Sequence, residues 1–144
     1  MTENFLLRKV LVQRIAKATN ALLIVQWAHE DVVSKQWDAR DPDQCGTSHT
    51  VRYWVTVVVK DDEPRSTREL MQAGKTACKG HGYVAVHILR KKEALRKLNG
   101  NHGDFAIIYR LGYPIYNTDK KVFPRPGHAR KEQSSRQSLH AKRA

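Results

Sequence analysis

The sequence predicts a mixed α/β domain of the α+β class, with about four strands, an N-terminal helix and two further helices in the order αββαβαβ. Three observations carry this expectation. Val51–Lys60 (VRYWVTVVVK) is apolar at every odd position, the period-two signature of a strand with one face in a core. Residues 3–19 place Leu7, Val10, Leu11, Ile15 and Ala18 on one stripe at helical spacing. Ser66-Thr67-Arg68-Glu69 is a capping box, so a helix opens between two strand-like runs.

Taken in order, the first helix spans 3–19 and is closed by Asn20, a residue that tolerates the left-handed conformation. Ala21–His29 (ALLIVQWAH) is short and apolar on both faces, which suits a buried strand. Residues 30–50 are polar and carry the turn signals Asp41-Pro42-Asp43 and Cys45-Gly46, so they are expected to form a long connection. Val51–Lys60 is then the central strand, rich in β-branched and aromatic side chains. Asp61-Asp62-Glu63-Pro64 breaks it, and a helix follows over 67–78. Tyr83–Leu89 reads as a strand, Arg90–Leu98 as a short basic helix ended by Asn99-Gly100, and Asp104–Leu111 (DFAIIYRL) as another strand. Tyr113–Tyr116 adds a short edge strand, where proline is tolerated. Helices are expected mainly on one face of the sheet. If strands 51–60 and 83–89 run parallel, the helix between them is a right-handed crossover.

Charge separates the chain into two parts. Lys and Arg number 26 against 14 carboxylates, a net charge of +12. Residues 120–144 hold Lys120, Lys121, Arg125, Arg130, Lys131, Arg136, Lys142 and Arg143 with the single acid Glu132, a balance of +7 that leaves +5 for residues 1–119. The expected organisation is therefore one domain over 1–119 and a basic, flexible C-terminal arm over 120–144. No apolar run is long enough to span a bilayer, and the charge-interrupted N-terminus does not read as a secretory signal. Two cysteines are too few for a disulfide framework, so an intracellular, reduced chain is expected, cytoplasmic or carried in a virion.

Such a balance favours a polyanionic partner, DNA or RNA above all. Arg90, Lys91, Lys92, Arg96 and Lys97 crowd one short helix, and the arm supplies the eight cations above. Neutralising phosphates requires flexible cations and draws its affinity from counterion release. The even face of the central strand adds Arg52, Trp54 and Lys60. Trp54, Tyr83, Tyr109, Tyr113 and Tyr116 are the aromatics available for stacking on bases, each with core packing as the simpler role.

Other constellations are weaker. Cys45, His49, Cys78 and His81 are a candidate zinc set, but their spacings match no standard finger and a free buried Cys78 is the simpler account. Asp41, Asp43, Asp61, Asp62 and Glu63 raise a metal-dependent nuclease, yet Val58 stands where an acid paired with Lys60 belongs. Gly74-Lys75-Thr76 echoes a phosphate loop, but its first glycine would fall at Glu69. No cofactor or catalytic residue is assigned. The leading expectation is a non-catalytic nucleic-acid-binding protein. The alternatives are a structural assembly subunit and a nuclease. The element order resembles that of phage tail-completion and neck proteins; the likeness is topological and rests on no residue motif.

Overall fold

Val51–Val59 lies at the centre of the sheet because both of its faces are apolar where it matters: Val55, Val57 and Val59 on one side, Val58 on the other, all fully buried. The computed structural model describes residues 6–100 and 103–124. In chain order the elements are α1 (Lys9–Thr19), β1 (Leu23–Asp38), β2 (Asp41–Val59), α2 (Thr67–Ala77), β3 (Tyr83–Arg90), α3 (Lys91–Asn99), α4 (Gly103–Leu111) and β4 (Tyr113–Asn117). The sheet order is β3-β2-β1-β4. β1 is antiparallel to β2 and to β4, whereas β2 and β3 are parallel and connected through α2. The α+β class and the four-stranded sheet hold, and the expected order αββαβαβ holds roughly, with one helix more than expected, α4, before the last strand β4.

Helices cover both faces of the sheet, not mainly one. Leu11, Ile15 and Leu70 from α1 and α2 pack with Ile24, Val55, Val57, Val86 and Ile88. Ala94, Phe105 and Tyr109 from α3 and α4 pack with Leu23, Val25, Val58 and Leu89 on the opposite side. The doubly apolar run Leu23–Val25 requires this second layer, since each face of a strand must be buried separately. That requirement also accounts for a fourth helix. Residues 103–111 are helix α4 instead of the expected strand. Phe105, Ala106 and Tyr109 are its buried residues, spaced as one helical stripe.

Local signals set several boundaries. Ser66 Oγ accepts from the Glu69 N–H at 3.2 Å, the capping interaction expected at the start of α2. Asn20 closes α1 with φ 55° and ψ 48°. α1 begins at Lys9, later than expected. The buried Leu7 instead donates its N–H to Gln26 Oε1 at 2.7 Å, tying the chain entrance to β1.

Residues 30–50 also depart from the expected long connection. They are not a loop; they continue β1 and β2 as a ribbon whose pairing runs to Asp38↔Asp41. β3 pairs with β2 only over Arg52–Val59, and β4 pairs with β1 only over Leu23–Gln26. The ribbon therefore stands beyond the four-stranded part of the sheet with only two strands. Its polar composition reads as a connection because neither ribbon face has a core to fill.

Candidate nucleic-acid interface

α3 begins where β3 ends, so its basic first turn lies at the Val59 end of the sheet. The Lys92 N–H donates to Asp61 Oδ1 at 3.1 Å, which assigns this carboxylate to the helix N-terminus. Lys91 Nζ lies 3.2 Å from Asp119 Oδ2. Asp119 is followed by the exposed Lys120 and Lys121, so the two lysine pairs of α3 and the C-terminal stretch come together. Lys60, also exposed, lies at this same end. Lys92 and Arg96 are exposed, and Lys97 Nζ is 3.5 Å from Glu93 Oε1 within the helix.

Arg90 has a different occupation. Its guanidinium donates to the carbonyls of Lys60, Glu63 and Arg65 at 3.3, 2.8 and 2.6 Å, pinning the turn after β2. Arg65 in turn donates from Nε to Glu63 Oε1 at 2.8 Å and from a terminal nitrogen to the Ala18 carbonyl at 2.6 Å. The hydrogen bond from Arg65 holds the Glu63 carboxyl below its ordinary value. Of the expected phosphate contacts, Arg90 is thus used in building the domain.

The chain does not detach at residue 120. Phe123 is fully buried against Tyr109, with ring centroids 6.4 Å apart, and the Tyr109 hydroxyl donates to the Pro124 carbonyl. Burial pushes the Tyr109 phenol up to about 12. Arg125, Arg130, Lys131, Arg136, Lys142 and Arg143 lie outside the described residues.

The even face of β2 is divided. Val58 and Thr56 are buried, whereas Trp54 is half-buried and Arg52 exposed. Arg52 and Trp54 are therefore separated from Lys60 by the layer that α3 and α4 lay over the sheet. Trp54 meets Trp27 with ring centroids 6.3 Å apart at 46°, and the Arg52 guanidinium carbon lies 5.8 Å from the centre of the Tyr83 ring. The register shift between Gln26 and Ala28 places Trp27 beside Trp54. A bulge of this kind leaves no mark in an apolar run, so Trp27 reads as core from sequence. Tyr109 and Tyr116 do pack into the cores.

The remaining sets are dispersed. Cys78 is a free, buried thiol, and burial raises its pKa. His49 and His81 are exposed, and the Cys45 side chain lies outside the described ones. Among the described residues no group of three or more His, Cys, Asp or Glu side chains is arranged to hold a metal. Asp41 and Asp43 begin β2 while Asp61–Glu63 follow its end, on the order of 60 Å away at about 3.3 Å per residue, so they share no metal site. Gly74 lies inside α2, where an added Cβ would come within 3.2 Å of Val86; close helix–strand approach explains it.

No helix among the described residues is long and apolar enough to cross a membrane. Comparison with protein-family models, curated proteins and solved structures finds no match for this chain.

Proposed function

We propose that this chain is a non-catalytic nucleic-acid-binding protein that engages phosphates at the Val59 end of its sheet. The Lys91–Asp119 contact carries the reading, because it gathers Lys91, Lys92, Lys120 and Lys121 just before the basic sequence 125–144. Clustered flexible cations on a chain of net charge +12 are the electrostatic footprint of a polyanion site. The free Cys78 thiol accords with a reducing, intracellular setting. The test is binding of labelled single and double strands across a salt series. Affinity is expected to fall steeply with salt, and each of Lys92→Ala, Lys120→Ala and Lys121→Ala to reduce the slope by about 0.9. A flat salt response rejects the reading.

One observation favours a second reading, a self-assembling structural subunit. The two-stranded ribbon exposes Val33 and Trp37, which share one face through the pairs Val33↔His49 and Trp37↔Cys45. Residues 30–50 hold five carboxylates against Lys35 and Arg40, so the ribbon is acidic and unsuited to phosphate contact. Light scattering tests this reading: a mass above the monomer that Trp37→Ser abolishes supports it, and a monomer at all concentrations excludes it.

A further inference from the structure

We infer that the uncovered half of the sheet face around Trp54 is a stacking site for the unpaired bases of a single-stranded nucleic acid. The inference rests on the phosphate-binding reading above and names its substrate class. α3 and α4 cover Leu23, Val25, Val58 and Leu89, and their cover does not extend over the positions that follow toward the ribbon. There the face presents one ring from each of three adjacent strands: Tyr83 of β3, Trp54 of β2 and Trp27 of β1. Tyr83 is 51% exposed and Trp27 42%. In a core these rings would be enclosed; here two large hydrophobic surfaces stand in water beside an arginine. Arg52 lies over the Tyr83 ring, and its Cα partner across the sheet is Glu30, the carboxylate nearest in register.

Beside Trp27, between the bulge and the end of α4, a cleft of about 220 Å³ is lined by Ala28, Leu111, Gly112 and Tyr113. That volume is below the range of drug-sized sites and suits a single planar heterocycle. Gly112 shapes it. A Cβ there would come within 2.5 Å of the Ile108 carbonyl oxygen, 2.7 Å of Val25 Cγ1 and 2.9 Å of the Gln26 carbonyl oxygen. The residue must be glycine for α4 to end against β1. Thr56, next to Trp54 on the same face, is fully buried, with a hydroxyl that has no hydrogen-bond partner among the described residues; Trp54 is half-buried and Arg52 exposed, so the cover thins beyond Thr56.

These groups select for bases that have left a duplex. Ring faces stack on any exposed base but offer little to a base pair whose faces are already stacked, while Arg52 supplies a cation over the same surface. The rings and the lysines of α3 lie on one side of the sheet, so one strand can follow both.

The experiment compares an unstructured oligonucleotide with a duplex of equal phosphate number, read by fluorescence anisotropy and by quenching of the intrinsic tryptophans. The single strand is expected to bind more tightly and to quench emission. Trp27→Ala and Tyr83→Ala, both at exposed positions, are each expected to weaken single-strand binding by roughly 5- to 100-fold while leaving duplex affinity unchanged. Tyr83→Phe, which keeps the ring, is expected to restore binding. Equal affinity for both nucleic acids, unaffected by these variants, overturns the stacking site and leaves the phosphate reading intact. Absence of binding to either overturns both, whereas a Trp27→Ala variant that keeps its nucleic-acid affinity and loses self-association overturns the stacking site alone.

Discussion

Lys91 Nζ stands 3.2 Å from Asp119 Oδ2, joining the first turn of α3 to the turn that follows β4. Both side chains are about a third exposed, at 34% and 28%, so the pair stabilises the fold by only about 0–1 kcal/mol. Its consequence is positional: it sets Lys120 and Lys121 beside the basic helix. Asp119→Ala is expected to leave the denaturation midpoint nearly unchanged. If Lys91 then turns to a phosphate, the slope of log affinity against log salt steepens by about 0.9. A salt titration of the variant measures this, and an unchanged slope places Lys91 outside the contact.

Arg90 is expected to behave as a structural residue. Removing its guanidinium takes this donor from the carbonyls of Glu63 and Arg65, while the Lys60 carbonyl keeps the Glu63 N–H at 3.2 Å. Arg90→Ala should cost about 2–3 kcal/mol in urea unfolding. Arg90→Lys should recover little of it, because a compact ammonium does not span three acceptors as the planar fork does. A stable Arg90→Ala variant with a reduced salt slope would falsify this assignment.

Phe123 anchors the last described residues before the basic sequence 125–144. It is fully buried, so Phe123→Ala should destabilise the domain by about 3–5 kcal/mol. Phe123→Leu should lose much less. Chemical denaturation of the two variants separates an anchoring ring from one that merely rests on the surface.

Stability should fall at high pH through Tyr109. Burial raises its phenol from 10.0 to about 12. Between these values the unfolded chain has released a proton that the folded chain retains, so the unfolded state binds fewer protons and stability declines as pH rises. Below pH 10 the contribution is fully present, and it is gone once pH passes the folded value. Tyr109→Phe should flatten that part of the profile, and ultraviolet titration should show one tyrosine ionising last. A variant profile with the wild-type slope would assign the loss to other groups.

Thr56→Val replaces a buried hydroxyl that has no partner among the described residues with a methyl group of similar size. Stability should be unchanged or rise by up to about 1 kcal/mol, because no hydrogen bond is lost and an uncompensated polar group is removed. A fall of that size on thermal unfolding would show that the hydroxyl is satisfied by water.

Sequence by itself determined the elements whose signals are local. The alternation of Val51–Val59, the Ser66–Glu69 cap, the Asn20 terminus and the Tyr113–Tyr116 edge strand each depend on residues within one or two turns, and all are present. The charge segregation and the basic face of α3 were equally legible, since they need only composition. Tertiary structure decided the rest. Phe105–Leu111 became a helix because Leu23, Val25, Val58 and Leu89 required a second covering layer, a demand made by strands far away in sequence. Residues 30–50 became a ribbon because pairing in register propagates beyond any core, and such pairing leaves no apolar pattern. Arg90 moved from the phosphate set to the scaffold, and Trp27 from the core to the open face, for one physical reason. A side chain's role follows from what lies opposite it in space, and only the long-range pairing of β1, β2 and β3 settles that.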